Sequence, residues 1–201
     1  MRLGLFYDTE TTGLPDFKAP SEAPQQPHIV QLAAILVDLD TRKEIASMDV
    51  IIQPEGWIIP AEITAIHGIT TEFANEVGIP EKLAVQLFME FAFGRKRIAH
   101  NQQFDARIIR IALMRHSTEA VADEFKAGES ECTAILSTPI CKLPPSDKML
   151  AAGMTKNKTP NLGEAYRHFM GKDFDNAHTA IADVRACMAV YFGIKGINLG
   201  A

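Results

Sequence analysis

An unbroken apolar run, Leu3-Gly4-Leu5-Phe6-Tyr7, ends in Asp8-Thr9-Glu10, and this junction constrains the chain more than any other stretch. The run reads as a buried strand, closed by the turn residues that follow. Residues two apart on a strand point to the same side, so Asp8 and Glu10 converge on one spot. Two anions held a few ångströms apart repel, and a metal cation is the simplest partner that makes the arrangement favourable. A bare Asp-x-Glu is also compatible with a strand end that is merely acidic, so the rest of the chain must decide.

Two further segments supply matching pieces. Arg97-Ile98-Ala99-His100-Asn101-Gln102-Gln103-Phe104-Asp105 reads as a short strand running into a helix, and His178-Thr179-Ala180-Ile181-Ala182-Asp183 opens the last helix. Asp8, Glu10, Asp105 and Asp183, with His178 five residues before the last Asp, make four carboxylates and one imidazole. In this order and context they resemble the DEDDh, or DnaQ-like, 3′–5′ exonuclease family. The resemblance runs from Leu3 to about Phe192 and takes in Ile66-His67-Gly68-Ile69-Thr70, similar to the short segment that follows the third strand in that family.

The order of elements agrees with the fold that this resemblance implies, an α/β ribonuclease-H-like mixed sheet flanked by helices, in a single domain over residues 1–201 with a core at about 2–193. Strand-like runs cover Leu3 to Asp8, Ile29 to Asp38 and roughly Glu44 to Gln53, the last two joined by a turn at Leu39-Asp40-Thr41-Arg42. Between the first two, Pro15 to Pro27 holds four prolines and few hydrophobes. This segment is expected to be a loop without regular structure, overhanging the active site because it leaves from the carboxylate strand. Helices are expected over Pro60 to His67, over Pro80 to Phe93 with Leu83, Leu87 and Phe91 at helical spacing, and over Phe104 to His116 with Ile108, Ile111 and Leu113. Ile98 to Asn101 reads as a strand between the latter two. Asn161-Leu162-Gly163-Glu164 is a capping-box-like start with Gly171 as its stop, and the last helix puts Ile181, Val184, Met188 and Tyr191 on one core face. The Arg95-Lys96-Arg97 run reads as a solvated turn.

The chemistry follows from donor type and position. All carboxylate donors offer oxygen, the preference of Mg²⁺ and Mn²⁺, and four of them match two divalent cations about 4 Å apart. By resemblance, Asp8 bridges both ions, Glu10 and Asp183 complete one site, and Asp105 serves the second. One ion would activate the attacking water and the other would stabilise the departing 3′ oxygen. His178 is harder to cast as a ligand. Five residues of regular helix turn about 500°, so His178 and Asp183 would face about 140° apart unless His178 precedes the helix, with Thr179 as its N-cap. A histidine on such an entry segment suits a general base. His100 reads as structural. The resemblance also implies that Thr11, Thr12, Gly13 and Leu14 hold the 3′-terminal nucleotide, Leu14 against its base, with His67 and Phe104 as further contacts; a plain core role is the alternative for Phe104.

Composition narrows the partners. With 201 residues, 47% of them hydrophobic, the chain can bury about 70% of its unfolded surface. No apolar run reaches the length of a membrane span, and Met1-Arg2 leads directly into the first strand, so neither membrane nor signal peptide is expected. Cys132, Cys141 and Cys187 lack Cys-x-x-Cys spacing, which argues against zinc or a disulfide framework and for a reducing cytoplasm. A net charge of −5 implies a short, local grip on nucleic acid rather than an extended one. The expected function is a metal-dependent 3′–5′ exonuclease that releases nucleoside 5′-monophosphates from single-stranded 3′ ends, DNA favoured over RNA. An exoribonuclease that trims small RNAs and the proofreading subunit of a DNA polymerase are the alternatives within the fold, and a nuclease-like binding scaffold is the alternative outside it. The chain ends nine residues after Phe192, so a stand-alone enzyme is expected rather than one tethered to a polymerase.

Overall fold

A computed structural model describes residues 1–174 and 179–196. The described elements are β1 (Leu3–Thr11), β2 (Ile29–Asp38), β3 (Glu44–Ile51), α1 (Ala61–His67), α2 (Thr71–Val77), α3 (Glu81–Ala92) and β4 (Lys96–Ala99). They continue with α4 (Gln102–His116), α5 (Glu119–Ala127), β5 (Ser130–Cys132), α6 (Thr133–Cys141), α7 (Asp147–Ala151), α8 (Leu162–Met170) and α9 (Ala180–Ile194). Five strands form one mixed sheet in the order β3-β2-β1-β4-β5. The first three run antiparallel as a meander, and β4 and β5 add in parallel to β1 and β4.

The side-chain alternation of β1 and β2 divides the core into two layers. Leu5, Tyr7, Leu32, Ala34 and Leu36 face Phe88 of α3, Ile108 and Ile111 of α4 and Phe125 of α5. Phe6, Ala33, Ile35 and Val37 face Val184, Met188, Tyr191 and Phe192 of α9. Phe6 meets Tyr191 edge-on at 5.3 Å between ring centres. Covering both faces explains why every residue of β2 is buried and why its sequence is almost continuously apolar. Each fully buried large side chain contributes about 2 kcal/mol, so this double burial makes β1 and β2 the rigid floor of the molecule. A smaller cluster of Val30, Ile59, Ile69 and Ala74 seats α1 and α2 beside the start of β2.

Several expectations are met closely. β2, the turn after it and the start of β3 lie where the pattern puts them. Asn161 forms the capping box with Glu164, and Gly171 ends α8 in the left-handed conformation. Val184, Met188 and Tyr191 are buried on the core face of α9, with Ile181 packed beside them. Other readings are corrected. The buried face of α3 is Ala84, Val85, Phe88 and Ala92, whereas Leu83 and Leu87 are exposed and Phe91 is only partly buried. This helix is apolar nearly all round, so periodicity alone offers two stripes, and the smaller residues win where the sheet approaches closely. Arg97 does not lie in a solvated turn: it belongs to β4 and is buried. β1 continues past Asp8 to Thr11, and α2, α5, α6, α7 and β5 had no counterpart in the pattern.

Pro15 to Pro27 lacks regular structure, as expected, but it is firmly held. The buried Gln26 side chain exchanges hydrogen bonds with the Asp16 backbone at 2.8 and 3.0 Å and donates to the Pro20 carbonyl at 3.0 Å. From α4, Arg107 donates to Ser21 Oγ at 2.8 Å and to the Ala19 carbonyl at 2.5 Å. Arg115 donates to the Pro27 carbonyl at 2.9 Å and to that of Gln26. Carbonyl groups that a loop would otherwise leave to water thus find fixed donors.

Candidate metal centre

The centre forms where β1 outruns its neighbour. β4 pairs with β1 only over Gly4 to Phe6, and the chain then leaves into α4 through Asn101, a non-glycine residue at φ 62°. Beyond Phe6 the β4-facing edge of β1 is open, and the crevice outside the carboxyl ends of two parallel strands is where α/β sheets place their sites. On the other edge β2 continues, with a bulge at Glu10/Thr11 that bends the strand end.

Asp8 and Glu10 project from the α9 face of β1, and Asp183 reaches them from the first turn of α9. Oxygens from the three carboxylates all lie within 4.8 Å of one another, and all three side chains are half-buried. The structure thus brings these three expected residues together. Asp105 comes from the other layer. It is buried, and its Oδ1 accepts from the Thr9 amide at 3.0 Å and from Thr9 Oγ1 at 2.8 Å. Thr9 lies between the two acids in sequence and points to the opposite face, so it ties α4 to the open edge of β1. Asp105 thus stands beside the group of three rather than within it, and one of its oxygens is already engaged.

Electrostatics gives the arrangement its meaning. Burial pushes the Asp8 carboxyl well above the usual range, and Asp105, Asp183 and Glu10 add to the effect. Burial, then Asp183 and Asp105, raise Glu10 to about 8. Burial raises Asp105 to about 7 against the hydrogen bonds from Thr9. Among the described residues, no cationic side chain is a cause of any of these three shifts. Clustered oxygens that resist ionisation fit a hard divalent ion, which would neutralise them in place.

Supporting contacts explain why the cluster keeps its shape, and sequence reasoning did not identify them. Gln31 sits opposite Glu10 on β2, buried; its Oε1 accepts the Ala180 amide at the start of α9 at 3.1 Å, and its Nε2 donates to Asp49 at 2.7 Å. It anchors the turn that carries Asp183. Its sequence signal is a lone amide in the apolar run Ile29 to Val37. His100 is structural, as expected: Nε2 donates to the Pro160 carbonyl at 3.1 Å, which leaves Nδ1 to accept from Thr133 Oγ1 at 2.9 Å.

The remaining expected residues are dispersed around the crevice. Leu14 is 86% exposed just past the strand, and Phe104 is partly buried beside Asp105. The Thr12 amide donates to the His28 carbonyl at 3.0 Å and the Thr12 hydroxyl accepts the His28 amide at 2.9 Å, so Thr12 braces the loop and its amide is not available to a ligand. Thr11 Oγ1 donates to the Gly13 carbonyl at 2.8 Å. His67 is buried at the end of α1, with Nδ1 accepting the Ile69 amide at 3.1 Å and Nε2 without a partner. α9 begins at Ala180 with Thr179 as its N-cap, the condition for His178 to approach Asp183. His178 itself lies outside the described residues.

Comparison with known proteins agrees with this geometry. The exonuclease (RNase T) family model matches residues 5–191. Curated protein sequences gave no match. Among solved structures, E. coli exonuclease I in complex with a dT13 oligonucleotide superposes with a TM-score of 0.73 at 19% identity, covering 97% of this chain and 41% of that one. The zinc-bound E. coli exonuclease I–single-stranded DNA complex gives 0.72 at 18% identity, covering 97% and 40%. A moderately thermophilic exonuclease I from Methylocaldum szegediense gives 0.72 at 24% identity, covering 98% and 41%. The chain therefore spans about two fifths of the length of the structures it matches. Among the described residues no helix is long and apolar enough to cross a membrane.

Proposed function

Because the chain belongs to the exonuclease (RNase T) family, we propose that it is a metal-dependent 3′–5′ exonuclease acting on single-stranded DNA ends. The observation that carries this reading is the convergence of Asp8, Glu10 and Asp183 within 4.8 Å at an open strand end. These three would hold Mg²⁺ or Mn²⁺, with Asp105 as a further ligand through its remaining oxygen. Two such ions, when bound, would supply charge neutralisation at the scissile phosphate and activation of the attacking water.

The protein's own residues do the positioning. Thr9 holds Asp105 and Gln31 holds the start of α9, so the carboxylates meet the substrate without rearranging. Leu14, exposed beside Glu10, is free to pack against the terminal base. The Gly13 amide, which among the described residues makes only a long 3.4 Å contact to Thr11 Oγ1, and Nε2 of His67, unpartnered among the same residues, are donors for the terminal nucleotide, and Phe104 offers it an apolar wall. His178 is the general base, taking the proton from the attacking water. The preference for DNA draws support from relatives solved with DNA oligonucleotides. The free cysteines suit a cytoplasmic setting.

Incubating end-labelled single strands of DNA and RNA with Mg²⁺ tests this reading. Stepwise nucleoside 5′-monophosphates should appear from the 3′ end, faster from DNA, and a 3′-phosphate should slow the reaction. His178→Ala should retain metal binding and lose roughly 10²–10⁴ in turnover. Faster release from RNA would move the assignment to an exoribonuclease, and cleavage of a closed circular strand would contradict an exonuclease altogether.

A further inference from the structure

Among the described residues, Arg97 is a buried cation without an anion. It is 3% exposed on β4, and its guanidinium lies 3.9 Å over the Phe125 ring. Nη2 donates to the Gly128 carbonyl at 2.7 Å, and Nη1 has no hydrogen-bond partner. A buried charge is costly unless paired, so this placement has a cost that the fold alone does not offset. Arg97 lines a cavity of about 310 Å³ beside α4 and α5, together with Arg107, Arg110, Lys126, Ser130 and the half-exposed Phe17. Among the described residues no carboxylate lines it. Arg110 pairs at 2.7 Å with Asp123, which lies outside the lining, and the recorded hydrogen bonds of Arg107 go to neutral loop oxygens. Four cations thus converge in a chain whose net charge is −5.

We propose that this cavity is a second binding site, selective for a phosphate group carried by a nucleotide. Arg110 and Lys126 make the outer contacts, Arg97 supplies fixed positive charge at the back, and Phe17 offers an apolar face to a base. The volume lies at the small end of ligand pockets and suits a nucleotide. The site is distinct from the metal centre. None of Asp8, Glu10, Asp105 and Asp183 lines the cavity, and Arg107 lies about 200° around α4 from Asp105. The loop after β1 spans the two sites, with Leu14 beside one and Phe17 beside the other. The phosphate has two sources, a free nucleotide or an internal phosphodiester of a strand whose 3′ end occupies the metal centre, and only the second rests on the exonuclease reading.

Binding measured in a chelator separates these cases, using inorganic phosphate, thymidine, thymidine 5′-monophosphate and a twelve-residue oligothymidylate. The wild type is compared with Arg110→Gln/Lys126→Gln, a pair of changes at the mouth of the cavity, and with Arg97→Met. A free-nucleotide site predicts that the monophosphate binds where thymidine does not, and that the double variant weakens it about tenfold. A strand site predicts the same loss for the oligomer, with a salt dependence shallower by about 0.7 for each charge removed. In either case hydrolysis of a dinucleotide, which carries no phosphodiester beyond the scissile one, stays within about twofold of wild type. Monophosphate binding lost in the variant, in a protein that degrades no nucleic acid, would uphold the site and reject the nuclease reading. Equal binding of every probe by wild type and double variant, at an unchanged salt dependence, overturns the proposal even if Arg97→Met fails to fold.

Discussion

Replacing Glu81 by Gln should cost the protein stability in a strongly pH-dependent way. Glu81 opens α3, is 3% exposed, and accepts the Ile29 amide at 3.0 Å where β2 begins. Its other oxygen accepts from His116 Nε2 at 2.8 Å, with His28 and Arg115 each at 3.7 Å. Burial alone would raise this carboxyl, but the hydrogen bonds from His116, His28 and Ile29, with the charge of Arg115, hold it down at about 2 against an ordinary 4.5. A depressed acid stabilises the folded state above its unfolded value and loses that contribution as pH falls through its folded one. The difference, 4.5 less about 2, amounts to at most about 3 kcal/mol at neutral pH. Gln keeps the Ile29 bond, so Glu81→Gln should lose about 2–3 kcal/mol at pH 7 and progressively less between pH 4.5 and 2. Urea unfolding in a chelator at pH 7, 4 and 2.5 measures this. A gap that stays constant with pH, or no gap at neutral pH, would refute the hub role assigned to Glu81.

Three further outcomes are expected. Glu10 is raised to about 8, so the metal-free protein should lose stability as pH rises from 4.5 to 8; Mg²⁺ should reverse this in wild type but not in Glu10→Gln, as read by thermal unfolding with and without the ion. Gln31→Leu removes the acceptor for the Ala180 amide and should cost about 1–3 kcal/mol while weakening Mg²⁺ affinity, measurable by calorimetric titration. Gln26→Ala unties the loop from Asp16 and Pro20 and should raise KM for oligonucleotides more than it lowers kcat; a kcat loss equal to that of Asp8→Asn would contradict a positioning role.

The residues that were legible in the sequence are those whose placement depends on local periodicity. Asp8 and Glu10 share a face because strands alternate, and the family resemblance supplies Asp183 at the first turn of α9. The layer from which Asp105 arrives was not legible, because it depends on β4 ending early and leaving the Thr9 amide open, a fact of register. The α3 face was misread because an all-round apolar helix has no unique stripe. Gln31, Gln26 and Glu81 escaped notice because their partners lie six to 149 residues away and obey no spacing. Arg97 misled for the opposite reason: three consecutive cations look solvated, and only the sheet shows that the last one points inward.

The central claim is that Asp8, Glu10 and Asp183 form a divalent-cation site that drives 3′-end hydrolysis. A single titration of Mg²⁺ into wild type and Asp8→Asn, each followed by release of label from a 3′-labelled single strand, tests it directly. Wild type should bind the ion and release nucleoside 5′-monophosphate in proportion to its occupancy, whereas Asp8→Asn should remain folded, bind Mg²⁺ far more weakly and release nothing. Undiminished release from Asp8→Asn, or from wild type after exhaustive chelation, would contradict the account.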